Sequence, residues 1–454
     1  MASDLVIERR TPLPVSAEAA FAWHARPGAL ERLTPPWLRI EVLERAALQD
    51  GATARLRIHA GPFAIHWTAQ HAEVEPGRGF SDFQLHGPFD RWKHTHRFEP
   101  APGGTCVLHE RIEADLPLGM RPGRGYVAHE LEHLLAYRHA VTAADLAMHA
   151  GARSGPLHVA ITGASGFIGS MLVPLLTTGG HRVTRLVRHS PGEGEIQWDP
   201  AGRGLDPAAL RGIDAVIHLA GENIAARWSD ERKRAVLESR RTGTRLLVEA
   251  LTHAKDGPRT LVSTSAIGFY GDRGEELLTE ESGSGSGFLP EVCRAWEAAT
   301  EPAEAAGIRV VRVRIGLPLS PAGGMLQRML LPFRLGLGGR LGSGEQWMSW
   351  LSADDLLGVF HRALTDATLR GAVNAVAPNP VRNSDFAKEL AKTLRRPAFL
   401  PVPATPLRLV FGQMAEETIL ASARVRSEVL ELTGYRFRHP TLREALEHVL
   451  GRSA

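Results

Sequence analysis

The spacing of apolar and polar residues changes rhythm at "GARSGPLH", residues 151–158, a small, flexible, Pro-terminated stretch. Before it the period is two. In "ARLRIH" Ala54, Leu56 and Ile58 share one face, and Arg55, Arg57 and His59 the other. "FAIHWTAQ" puts Phe63, Ile65, Trp67 and Ala69 together, and "RWKHTHRF" does the same for Trp92, His94, His96 and Phe98. This alternation predicts antiparallel strands with one covered face. Two helices frame them: "SAEAAFAWHARPGALERL", capped by Ser16, and a long terminal one over residues 124–150. After the break, short apolar strands alternate with helices, as in a doubly wound parallel sheet. "LHVAIT", "RVTRLVR", "DAVIHLAGENIA", "RTLVSTSAIGFYG" and "IRVVRVRIGLPLS" read as its strands.

The first turn of that sheet carries candidate chemistry. "GASGFIG" links a strand to a helix inside a strand, turn, helix, strand unit of about 30 residues. Gly163 allows the tight turn, Gly166 lets backbone approach a pyrophosphate, and Gly169 permits close helix packing. The helix N-terminus then offers free N–H groups to phosphate. At the end of the second strand stand Arg188, His189 and Ser190, with no carboxylate. A cation and small donors suit the 2′-phosphate of NADP(H) rather than the ribose hydroxyl of NAD(H).

Two resemblances follow. The order strand, helix, several strands, long helix, together with "RPGALERLTPPW", resembles the helix-grip fold of the START-like, polyketide-cyclase/dehydrase superfamily. It implies an α+β ligand-binding domain over residues 1–150 with a cavity for an apolar ligand. "TGASGFIG", "HLAGENI", "SRRTGT", "STSAIGFYG" and "GGRLGSGEQWMSWLSADDL" resemble the extended short-chain dehydrogenase/reductases, and within them the atypical epimerase-like branch. That implies an NADP-binding Rossmann domain at 157–380 and the branch's small C-terminal domain at 381–454. Carried over by motif, Gly163, Ala164, Ser165, Gly166, Phe167, Ile168 and Gly169 would touch the pyrophosphate and Arg188 the 2′-phosphate. Leu219 and Ala220 would flank the adenosine ribose. Arg240 would lie near the cofactor, or be an ordinary exposed helix arginine.

One departure matters. Typical members of the superfamily use a Tyr as proton donor and a Lys four residues later. In "SGFLPEVCRAWEAAT", residues 286–300, Leu289 and Cys293 stand at those places. The chain has only four tyrosines, and none is followed by Lys at that spacing. Ser265 can still orient a substrate oxygen. Tyr270, the only phenol of the strand-end loops, is the candidate acid; a packed aromatic is the alternative. Met325, Phe333, Gln346, Trp347 and Trp350 are expected to line the substrate lobe, and "EESGSGSGF" to form a lid edge or a plain surface loop.

Composition narrows the classes further. In 454 residues the net charge is only +3, and no dense Lys/Arg run exists, so nucleic acid is not an expected partner. Cys106 and Cys293 lie far apart, which fits a reducing compartment. The N-terminus lacks a signal peptide's apolar core and no 18-residue apolar run occurs, so the expectation is a cytoplasmic protein without a membrane span. No metal is expected. "HELEHLLAYRH" mimics a zinc-protease signature through His129, Glu130, His133 and His139. Yet Ala136 continues the helix, and at about 100° per residue His139 falls roughly 120° away from His133. His66, His94, His96 and His109 could cluster on the sheet as metal ligands, but read as ordinary sheet-face histidines. The expected function is an NADP(H)-dependent, epimerase-like oxidoreductase acting on a small, partly apolar molecule. The alternative is a catalytically weak NADP(H)-binding sensor or ligand carrier that uses the first domain's cavity.

Overall fold

The computed structural model describes residues 3–452 except Pro62 and Arg203. It separates into two compact units, one built on the residues through Ala152, the other on Arg153–Val173 and His181–Arg452.

The first unit is a seven-stranded antiparallel sheet in the order β1 (Leu5–Leu13), β7 (Thr105–Asp115), β6 (Arg91–Ala101), β5 (Gly79–His86), β4 (Phe63–Glu75), β3 (Thr53–Ala60), β2 (Arg39–Glu44). Helices α1 (Ala17–Ala25), α2 (Ala29–Leu33) and α3 (Arg124–Ala150) complete it. The expected alternation is clearest on β6, where Trp92, His94, His96 and Phe98 are all buried. On β4 it fails at the end of the strand, where Phe63 is 74% exposed. The first expected helix is two helices. Ser16 caps α1 by accepting from Ala19 N, but Pro27 and the left-handed Gly28 (φ +97°) interrupt before α2 begins.

The second unit holds a seven-stranded, all-parallel sheet. Its order is β10 (Glu195–Gln197), β9 (Arg182–Val187), β8 (His158–Thr162), β11 (Ala215–His218), β12 (Thr260–Ala266), β13 (Arg309–Ile315), β14 (Gly371–Ala375). Its main helices are α4 (Phe167–Thr178), α5 (Asp230–His253), α6 (Phe288–Ala298) and α7 (Ala353–Thr365). Ser229 and Ser352 cap α5 and α7 through N–H groups three residues on, and acidic first turns complement both helix dipoles. Strands β8, β11 and β12 are apolar runs such as Val159, Ala160 and Ile161, all fully buried, as sheets covered on both faces require. Residues 381–452 belong to this same unit: Arg424 and Val425 pair with Leu277 and Leu278, and Asn374 Nδ2 donates to Arg426 O. Cys106 and Cys293 are buried and free. Among the described residues no helix is long and apolar enough to cross a membrane.

Candidate nucleotide site

Strand register brings the expected cofactor residues to one edge. Thr162 of β8 pairs with Leu186 of β9 and with His218 of β11, so Gly163, Arg188 and Leu219 all follow at the C-terminal ends. This is the crevice where such sheets hold their ligands. Gly163 has φ +66°, and a Cβ there would sit 3.0 Å from the Leu219 carbonyl carbon. A Cβ on Gly169 would lie 2.3 Å from Gly163 O, so the glycine is needed for α4 to start against the turn itself. Gly166 N closes that turn on Gly163 O at 3.0 Å. Ser165 and Gly166 are exposed, while Ala164, Phe167 and Ile168 are half-buried. The Phe167 ring packs on Gly323, where a Cβ would come within 2.3 Å of it. The first-turn N–H groups of α4 have no partner within the helix and face the crevice end. The residues present therefore fit a pyrophosphate. Arg188 is exposed and forms no ion pair among the described residues.

The floor of the crevice hangs on a residue the sequence reading passed over. His218, fully buried, has both ring nitrogens engaged: Nδ1 is 2.8 Å from Thr162 Oγ1, and Nε2 is 3.0 Å from Thr244 Oγ1. Thr162 Oγ1 also accepts from Leu219 N (3.0 Å) and Ala220 N (3.1 Å). Its lone pairs are then used, so its hydroxyl donates to Nδ1, and His218 carries its proton on Nε2. Burial, helped by Arg240, pushes this imidazole down to about 3, which keeps it neutral. Thr264 Oγ1 adds a bond to His218 O at 2.9 Å. A histidine closing a buried strand was the signal for this latch. Arg240 itself lies beside the same loop. Its guanidinium carbon is 4.9 Å from the Trp296 ring centre, and Nη1 donates to Glu222 O at 3.0 Å.

The chemistry end differs from expectation. Tyr270 is fully buried, its hydroxyl donating to Asn374 Oδ1 (2.7 Å) and accepting from Arg314 Nη1 (2.9 Å). Burial raises its pKa, against the pull of Arg314. A hydroxyl committed to two buried partners is not poised over an open crevice, so the packed-aromatic alternative describes it better than the acid does. Ser265 is 2% exposed and donates to Glu297 Oε1 at 2.6 Å. Arg314 clamps both oxygens of that carboxylate at 2.9 Å. Sequence reading missed Glu297 and Arg314; a charged residue on a strand covered on both faces was the available clue. Leu289 and Cys293 do occupy buried positions on α6, and burial together with Glu297 pushes the Cys293 thiol up to about 12. The expected lid is pinned. Glu280 accepts from Asn374 N and Glu428 N, and a Cβ on Gly285 would lie 2.1 Å from Tyr270 O. Of the expected substrate lobe, Trp350 and Phe333 are core. Gln346 donates to Leu341 O and Ile419 O, and the guanidinium carbons of Arg382 and Arg424 lie 4.3 and 4.6 Å from the Trp347 ring centre. Met325 is half-buried.

Comparison with known proteins adds the lineage. An epimerase family protein of Mycobacterium tuberculosis is 42% identical over 296 residues, 65% of this chain and 98% of that protein. The chain belongs to the epimerase family. The profile of the NAD dependent epimerase/dehydratase family matches residues 159–375, and that of a domain of unknown function, DUF1731, residues 402–449. Residues 13–124 match the polyketide cyclase/dehydrase and lipid transport family, in agreement with the helix-grip architecture of the first unit. Human epimerase family protein SDR39U1 is 37% identical over 299 residues, 65% of this chain and all of the human protein. Its crystal structure with NADPH superposes at a TM-score of 0.60 with 36% identity, covering 65% of this chain and 99% of the human one. A nucleoside-diphosphate sugar epimerase from Corynebacterium glutamicum resembles almost the whole epimerase-family chain. Its TM-score is 0.82 at 36% identity, over 98% of this chain and 90% of that one.

Proposed function

We propose that this chain binds NADP(H) in the Gly163–Gly169 turn and uses it as an epimerase-like oxidoreductase on a small, partly apolar molecule. The observation that carries the reading is the glycine cradle with an unpaired Arg188 at its side and no carboxylate in its place. The NADPH held by the human relative supports it. Gly163, Ala164, Ser165, Gly166, Phe167, Ile168 and Gly169 hold the pyrophosphate, and Arg188 holds the 2′-phosphate. Leu219 and Ala220 flank the adenosine ribose, with Arg240 bracing their loop. When bound, the nicotinamide supplies or accepts the hydride. Ser265 spends its own proton on Glu297, which leaves its oxygen lone pairs free to accept from a substrate hydroxyl. Arg314 fixes that carboxylate, so Ser265 is the orienting group.

A second reading, the catalytically weak sensor or carrier, is favoured by the burial of Ser265 and Tyr270. Two measurements separate them. Calorimetry should give NADPH tighter than NADH, with Arg188→Asp erasing a preference of roughly tenfold or more, as one charge-assisted contact supplies. Equal affinities in the unaltered protein would sink the NADP(H) assignment. Loss of 340 nm absorbance on incubation with NADPH and a metabolite extract supports the oxidoreductase. Tight NADPH binding without any turnover supports the sensor.

A further inference from the structure

The first unit buries a set of titratable side chains that the nucleotide chemistry does not use. His94 and His96 of β6, Glu110 of β7 and His139 of α3 are all buried, with Asp82 of β5 half-buried beside them. His96 is held at both nitrogens, Nδ1 lying 2.8 Å from Glu110 Oε1 and Nε2 3.3 Å from Asp82 Oδ2. Asp82 Oδ1 is in turn bonded to His71 Nδ1. Other atoms are left open. His94 Nε2, Glu110 Oε2, His139 Nε2 and His24 Nε2 are buried without a hydrogen-bond partner. Glu110 Oε2 nevertheless lies 3.3 Å from His94 Nε2 and 3.5 Å from His139 Nε2. A merely structural polar network pairs such atoms, so open ones mark a place where something else supplies the partner. His66 and His109 stand apart from this group as ordinary sheet-face histidines: His66 is exposed, and His109 points to the opposite face of β7 from Glu110.

We propose that Asp82, His94 and His96 form a binding site for one divalent transition-metal ion of the zinc class. One ligand atom from each lies within 4.8 Å of the other two. The 3.3 Å between His96 Nε2 and Asp82 Oδ2 equals the separation of two ligands on a tetrahedral ion with bonds of about 2.0–2.1 Å. Second contacts are already in place: Glu110 accepts from His96 Nδ1 and His71 holds the far oxygen of Asp82, as metal-bound imidazoles and carboxylates require. Two imidazoles and one carboxylate suit zinc or a neighbouring metal, whereas calcium and magnesium demand oxygen ligands. The positive charge of half-buried Arg138, on α3, offsets part of the charge of Glu110 and Asp82. This is not the zinc-protease spacing, since His129 is exposed while His139 turns inward to Glu110.

The full chain, purified without chelators and then stripped of metal, is titrated with Zn²⁺ and with Co²⁺. One equivalent of zinc per chain, and a visible Co²⁺ band of low-coordinate intensity saturating at one equivalent, are the expected results. His94→Gln should abolish the band, and Glu110→Gln should weaken binding by about 10–100-fold. His129→Gln, on the exposed face of α3, should change neither. Absence of stoichiometric zinc and of any Co²⁺ band in the unaltered protein overturns the proposal, and that arm needs no variant to fold. A band that survives His94→Gln but disappears in His129→Gln overturns it too, because the metal then sits on the surface pair.

Discussion

His218 and His94 are both buried imidazoles at or within strands, yet the two regions around them are built on opposite principles. His218 has a threonine hydroxyl on each nitrogen, and every group in its latch has a partner. His94 keeps Nε2 open, next to a carboxylate oxygen that is open as well. The first arrangement is scaffold: it ties β8, β11 and α5 together under the glycine turn. The second stores uncompensated polarity inside an apolar unit, which folding alone does not reward. Satisfaction, more than burial, separates structural histidines from those with a ligand to find.

That contrast can be broken directly by giving both sites the same substitution in the metal-free protein. His218→Leu leaves the buried hydroxyls of Thr162 and Thr244 without their ring partners, and should cost about 3 kcal/mol in urea unfolding. His94→Leu removes an already open nitrogen, and should stay within about 1 kcal/mol or even stabilise. Equal losses would mean that both are scaffold.

The next effect concerns the turn that His218 supports. Gly169→Ala places a methyl 2.3 Å from Gly163 O, with only backbone to give way. NADPH affinity should fall by about 100-fold, roughly 2.7 kcal/mol, in a fluorescence titration. Retained affinity would show that the turn adapts and that the cradle is not what holds the pyrophosphate.

His218 also sets an acid limit. Its folded pKa, about 3, lies below the ordinary histidine value because burial, with Arg240 nearby, disfavours the cation. The unfolded chain therefore takes up a proton first as pH falls. Its stabilising contribution is complete above about 6.5 and drains away between there and about 3. Between pH 6.5 and 5 the loss should be about 2 kcal/mol. The charges and dipoles around it are Arg240 and the two threonines. A stability profile flat from pH 7 to 5 would place the proton elsewhere.

What was legible in the sequence follows from distance along the chain. The glycine turn, Arg188 and the alternation on β6 are local patterns, and the structure places them as their spacing implies. Ser265 is a candidate on local pattern alone, but its partner Glu297 is 32 residues away, so the engagement of its hydroxyl is not legible. Asp82, His96 and Glu110 come from three strands, and only sheet register makes them neighbours. Phe63 obeys the alternation of β4 but projects beyond the covered face. Tyr270 illustrates the same limit. Its place on a strand-end loop is readable, but the direction of its side chain depends on the need of Arg314, on β13, for buried partners.

The smallest expected effect tests that reading of Tyr270. Tyr270→Phe keeps the ring, which also lies 5.3 Å from the Arg314 guanidinium carbon, and removes one hydroxyl. Asn374 Oδ1 loses its donor, whereas Arg314 Nη1 keeps Glu280 O as an acceptor and the rest of the guanidinium keeps both oxygens of Glu297. With one partner group left unsatisfied in a buried setting, the cost should be about 1–2 kcal/mol of folding stability. NADPH affinity should be unchanged, because the hydroxyl is committed to Asn374 and Arg314, away from the glycine turn. If turnover of a substrate is found, the same variant should keep it within severalfold. A drop of roughly 100-fold or more at unchanged stability would return Tyr270 to the role of acid. It would also mean that the hydroxyl leaves Asn374 when substrate binds, so the network around Arg314 would have to be a moving part and not a fixed one.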